Sequence, residues 1–158
     1  MDIFGFSRSA VLAVRLACAL LLLSVATACS AADNHGVFHT AKGDFGFTLE
    51  IADDETSREH GLMFRTSLAP DAGMLFDYHH EQMATFWMQN TMIPLDMIFV
   101  AADGTVKTVH VNARPMDTTT ISSEVPVQFV IEIAGGRSEE IGLKPGDKFE
   151  HPRVVVAK

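Results

Sequence analysis

The alternation of apolar and polar positions is strictest from Phe45, where Phe47, Leu49 and Ile51 follow on one face and Gly46, Thr48 and Glu50 occupy the other. A period of two is the signature of a half-buried strand. Downstream, Thr56-Ser57-Arg58-Glu59 has the spacing of a capping box, with Thr56 as N-cap and Glu59 at the third helical position. Gly61 supplies a stop, so the pattern predicts one helix of roughly two turns. Beyond Pro70-Asp71 the apolar runs shorten to strand length at 73–76, 85–88 and 95–101. Asp103-Gly104 separates the last of these from 105–111 and reads as a hairpin turn. Val127, Phe129, Ile131 and Ile133 alternate with Gln128, Val130 and Glu132, which points Glu132 to solvent. Lys144-Pro145-Gly146-Asp147 has Pro and Gly at the central positions of a turn, and 154–156 reads as a closing strand. Together the elements predict a mostly β fold: a single small antiparallel β-sandwich or barrel with one short helix.

The N-terminal pattern is of another kind. Arg8 and Arg15 precede an apolar block over 16–28. This is shorter than the ~20 residues a spanning helix needs, and it fits the apolar region of a secretory signal. Ser30-Ala31-Ala32 offers cleavage before Asp33, giving a signal peptide of residues 1–32. Ala26-Thr27-Ala28-Cys29 offers a permissive lipoprotein box instead, with residues 1–28 removed and Cys29 lipidated. Residues 33–37 then form a polar leader and 38–157 a single β domain. Cys18 and Cys29 both fall in or beside the signal, so the mature domain has no cysteine to pair and its core must hold it. The expected location is the periplasm, free or anchored through Cys29.

Charge narrows the partners. The net charge of −8 becomes −9 once Asp2, Arg8 and Arg15 leave with the signal. An acidic surface opposes nucleic acid and anionic membrane surfaces, leaving membrane attachment only through a lipid on Cys29. The expected partner is a small ligand or an envelope protein, and no cofactor is implied.

The densest chemistry lies in Phe86-Trp87-Met88-Gln89-Asn90-Thr91-Met92-Ile93-Pro94-Leu95-Asp96. An unpartnered polar group buried among such side chains costs about 1–3 kcal/mol. Asn90, Thr91 and Asp96 are therefore satisfied either by backbone, as a structural turn, or by a ligand, as a site walled by Trp87. In the second reading a desolvated Asp96 is a candidate general base. No Ser-His-Asp order, Gly-rich phosphate loop or HExxH helix accompanies it. Arg65 either pairs with Asp71 or Asp96, or anchors an anionic ligand group. Seven methionines follow the signal, and soft thioethers suit copper(I). His79, His80, Met83, Met88 and Met92 are the local metal candidates, against the alternative that Met fills gaps in the core. The stretch from Asn112 to Glu124 is a long loop for so small a domain and is placed beside Trp87.

Five motifs occur in a characteristic order: Gly61-Leu62-Met63-Phe64-Arg65, Gly73-Met74-Leu75-Phe76, Phe86-Trp87-Met88-Gln89-Asn90-Thr91, Ile93-Pro94-Leu95-Asp96 and Asp103-Gly104. In these the chain resembles a bacterial and archaeal family, domain of unknown function 192, over roughly 38–156. The resemblance implies a compact, largely β fold, often exported, and implies no reaction. Gln89 departs from it, since these proteins often carry Lys there. The expected function is that of a non-catalytic cell-envelope module binding a small ligand or partner. The alternatives are an enzyme using Asp96 as base and a periplasmic copper binder using Met and His.

Overall fold

Strands whose two faces are both apolar must be covered on both sides, and Leu95–Val100, buried at every position, is such a strand. The computed structural model describes residues 34–154. Among them are nine strands and two short helices. In chain order these are β1 (His35–Thr40), β2 (Gly43–Ala52), α1 (Glu55–His60), β3 (Ala72–Gln82), β4 (Thr85–Phe86), β5 (Leu95–Val100), β6 (Val106–Ala113), β7 (Ile121–Ser122), β8 (Val127–Ala134), α2 (Arg137–Ile141) and β9 (Lys148–Glu150). Seven of the strands form one sheet in the order β6-β5-β8-β3-β2-β1-β9, while β4 and β7 pair separately. Neighbours in the large sheet are antiparallel except β2 and β3. Those two run parallel because α1 and the loop after it carry the chain back between them.

The large sheet curls until its edges meet, giving a barrel-like fold. Thr105 bridges Lys148, the Phe149 N–H donates to the Gly104 carbonyl at 2.8 Å, and the Val106 N–H donates to the Asp147 carbonyl at 2.9 Å. Gly104 has φ +78°, and a Cβ there would collide with the Phe149 carbonyl oxygen. Only glycine allows so close an approach. The enclosed face gathers Phe38, Phe47, Leu49, Leu75, Ile98, Phe129, Ile131 and Phe149. The other face is apolar at its centre, where Met74, Phe76, Met97, Phe99 and Val130 form a second cluster with Leu62, Met88 and Ala113.

Several expectations need correction. The N-cap of α1 is Asp54, whose Oδ1 accepts from the Ser57 N–H at 2.9 Å, with Ser57 Oγ returning the bond to the Asp54 N–H. The overlapping Thr56–Glu59 spacing loses to it. β1 begins at His35, inside the stretch read as a leader. A second helix, α2, is present, and the last strand is β9; Val154 stands outside any strand and 155–156 lie outside the described residues. The signal segment, Cys29 and Asp33 also lie outside them. Among the described residues no helix is long and apolar enough to cross a membrane.

Candidate functional site

Glu132 sits on β8 on the second apolar face of the sheet. Its cross-strand neighbours are Met74 on β3 and Met97 on β5, so the carboxyl lies in a row of sulfur and hydrocarbon. The residue is 4% exposed, which overturns the expectation that it points to solvent. The alternation on β8 was read correctly, but the opposite face of the sheet is covered rather than wet. No hydrogen bond or ion pair joins its carboxyl to any described residue. Burial alone pushes it up to about 8. At neutral pH it is therefore mostly a neutral acid whose hydroxyl and carbonyl have no protein partner among the described residues.

A cavity of about 510 Å³ opens over this group. Phe76 and Tyr78 of β3 share its floor with Glu132, and Phe86 stands edge-on to Phe76 at 5.1 Å. Trp87 forms the rim and is 55% exposed. α1 and the turn after it make the opposite wall. Gly61 ends the helix at φ +50° and packs close to the Phe76 ring. From this wall the Arg58 guanidinium lies 5.2 Å from the centre of the Tyr78 ring and donates to the Asp77 carbonyl at 3.0 Å. Burial raises the Tyr78 hydroxyl above its usual range, with Arg58 pulling the other way and Glu132 adding to the rise.

Three loops around the mouth are stapled to one another by backbone. The Phe64 N–H donates to the Asn90 carbonyl at 2.9 Å, Met116 to Thr91 at 3.0 Å, and Met88 to Asp117 at 2.8 Å. Phe64, Asn90 and Met116 all have φ near +60°. For side chains as large as Phe and Met this region is strained, and such strain clusters at ligand clamps and active sites. The same loops leave Phe64, Trp87, Met92 and Met116 exposed.

The residues singled out from sequence divide clearly. Trp87 and Thr91 line the cavity. Thr91 is buried and its hydroxyl donates to the Gln89 carbonyl at 3.3 Å. Asn90 turns its amide to the Met63 sulfur at 3.8 Å. Asp96 is fully buried and faces away from the cavity into backbone. Its Oδ1 accepts from Asn112 and Gly136, each at 2.8 Å, and its Oδ2 accepts from Ser138 at 2.7 Å. Both oxygens are thus engaged, which removes the open geometry a general base requires. Arg65 pairs with neither Asp71 nor Asp96. It grips Glu50 of β2 in a two-pronged bond, 2.6 Å on each arm. Among the metal candidates, Met88 is packed in the core while Met83 and Met92 are exposed. His79 bonds the Asp53 carbonyl and, with its N–H, the Asp77 carboxylate; His80 is exposed. Among the described residues no three His, Cys, Asp or Glu side chains gather as a metal site.

Glu132, Tyr78 and Arg58 were not singled out as site residues from sequence. Their signal was available in Met74-Leu75-Phe76 and Met97-Ile98-Phe99, where both faces of the flanking strands are apolar. The stretch 112–124, expected as one long loop, is interrupted by the end of β6 and by β7. A second cavity of about 540 Å³ lies against it, with His110, Arg114 and Glu124 on its walls. None of its ionisable residues is buried.

Fold and cavity together define a class: a small curled-sheet protein with a roofed apolar pocket over a buried acid. The chain belongs to the family domain of unknown function 192, described as uncharacterised ACR, whose model matches residues 37–151. Among solved structures it is similar to a protein from Sinorhizobium meliloti 1021 named provisionally as a transcription regulator. That match has 42% identity, covers 75% of this chain and 93% of the other, and has a TM-score of 0.73. It is also similar to a protein of unknown function from Novosphingobium aromaticivorans DSM 12444, at 42% identity over 73% of this chain and 83% of the other, with a TM-score of 0.72. No curated protein matches the chain.

Proposed function

We propose that the protein is an exported cell-envelope module that binds a small ligand, without catalysis, in the cavity over Glu132. One observation carries this reading: a buried carboxyl with no partner faces a cavity of about 510 Å³. An unsatisfied buried polar group is costly in a free protein and is recovered when a ligand supplies its partner. Apolar concavities with a few convergent polar groups are the usual form of ligand sites. The strained loops and exposed apolar side chains at the mouth support the same reading. Export rests on the charged, apolar and small-residue pattern of the first thirty-two residues. The regulator name of the Sinorhizobium protein is not carried over to DNA binding, because a net charge of −8 opposes phosphate contact.

A proton-transfer role for Glu132 is the second reading, favoured by an acidity brought near neutral pH. It ranks lower because no described side chain hydrogen-bonds the carboxyl to orient it. The test is a ligand-observed NMR screen of a fragment library against the protein and against Glu132→Leu, which fills the site with hydrocarbon. Hits that disappear in the variant and shift the Trp87 indole resonance support the proposal. A screen whose hits are identical for the two proteins overturns it.

A further inference from the structure

We infer that the cavity takes an organic cation, an ammonium head on an aromatic or alkyl body, with the head seated at Glu132 among the rings of Tyr78, Phe86 and Trp87. This deepens the ligand-binding reading and rests on it. Three features of the walls point the same way. First, the carboxyl that lacks a partner is nine-tenths buried, and an ammonium N–H supplies the donor it lacks. Second, Tyr78, Phe86 and Trp87 line the same cavity, and aromatic rings attract cations by about 0.5–2 kcal/mol each depending on desolvation. Third, the α1 wall carries two carboxylates, Glu55 and Glu59, against the one guanidinium of Arg58. Arg58 is the fixed cation of the lining, and its guanidinium is already held over Tyr78 and on the Asp77 carbonyl. An anionic ligand would meet the Glu55 and Glu59 carboxylates. A neutral alcohol would satisfy Glu132 but gain nothing from the rings or the acidic wall.

Binding has a proton balance. The neutral Glu132 acid gives its proton to water as the ammonium arrives, leaving a carboxylate–ammonium pair. Affinity therefore rises with pH below about 8, by up to about tenfold per unit, and levels above it. The groups facing Glu132 are few. β3 offers Tyr78, whose hydroxyl stays neutral over this range, and β5 offers only Met97. The α1 wall offers Glu55, Arg58, Glu59 and exposed His60. His60 is the other titratable group on that wall besides the carboxyls, so a variant lacking only the Glu132 charge is needed to separate them.

The experiment is titration calorimetry of the intact protein with three matched probes: 2-phenylethylammonium, 2-phenylethanol and phenylacetate. The ammonium is expected to bind at least about tenfold tighter than the alcohol, with phenylacetate weakest. Comparing buffers of different ionisation enthalpy should show proton release near neutral pH. In Glu132→Gln, which keeps the shape, the ammonium should lose most of its advantage over the alcohol and most of its pH dependence. Trp87→Ala, at an exposed position, should weaken the ammonium without unfolding the protein. If the alcohol or phenylacetate binds as tightly as the ammonium, or if Glu132→Gln leaves the ammonium unchanged, the cation inference falls while ligand binding stands. If none of the three binds, both fall.

Discussion

Two buried carboxyls on adjacent strands behave in opposite ways because of what surrounds them. Asp96 on β5 meets three backbone N–H groups, whereas Glu132 on β8 meets methionine and aromatic rings. Replacing Asp96 with Ala orphans all three donors, each at about 1–3 kcal/mol. Urea unfolding should show a loss of at least about 3 kcal/mol, and a variant as stable as the parent would refute the structural assignment. Glu132→Gln should do the reverse, and with a pH dependence. The folded-state value of about 8 lies above the ordinary 4.5 of a glutamate, so the fold favours the protonated form. Its contribution is intact below about 4.5 and is lost progressively as pH rises to about 8. Across that window the parent should lose up to about 1.4 kcal/mol per pH unit relative to Glu132→Gln. Melting curves of both proteins check this, and a difference that stays constant with pH counts against it. The segment 86–96 announced buried polar groups in the sequence. Glu132 did not, because its burial depends on loops from elsewhere in the chain folding over the sheet.

At the scale of elements, legibility follows the reach of the signal. β2, β8 and the β5–β6 hairpin were readable because alternation and the Asp103-Gly104 turn are local. The two helices show the limit. α1 carries two overlapping capping boxes, and only packing chooses Asp54 over Thr56. α2 starts at Gly136, which has no side chain to cap it; Asp96 reaches across from β5 to accept from Gly136 and Ser138. No window along the sequence contains both the helix and its cap. β1 was missed because only its pairing with β2 and β9 marks it as a strand, and β9 because it is three residues long. Asp54→Ala should lower stability by about 1 kcal/mol, and Thr56→Ala by no more than a few tenths. Because α1 carries Glu55 and Glu59 on the cavity wall, Asp54→Ala should also weaken ammonium binding, and denaturation with the same calorimetry reads both effects. Equal losses for the two variants would return the cap to Thr56.

At the scale of the whole molecule, the core alone carries stability, since no cysteine follows Cys29. The N-terminal pattern makes export the expectation, with Cys29 acylated or Asp33 as the new N-terminus. Intact-mass measurement of the protein recovered from cells decides between the two routes, and a mature chain retaining 20–23 would defeat both. The pairing of β1 with β9 sets the timing of folding. His39 lies opposite Lys148 and Val37 opposite Glu150, so the first and last strands are partners. The sheet therefore cannot be completed until β9 has emerged from the ribosome. Until then both margins stay open, and contacts so distant along the chain form slowly. Until β9 is made the chain lacks this seam and is exposed to sticking by its unsealed strands. Its most hazardous interval is the one between translation and closure.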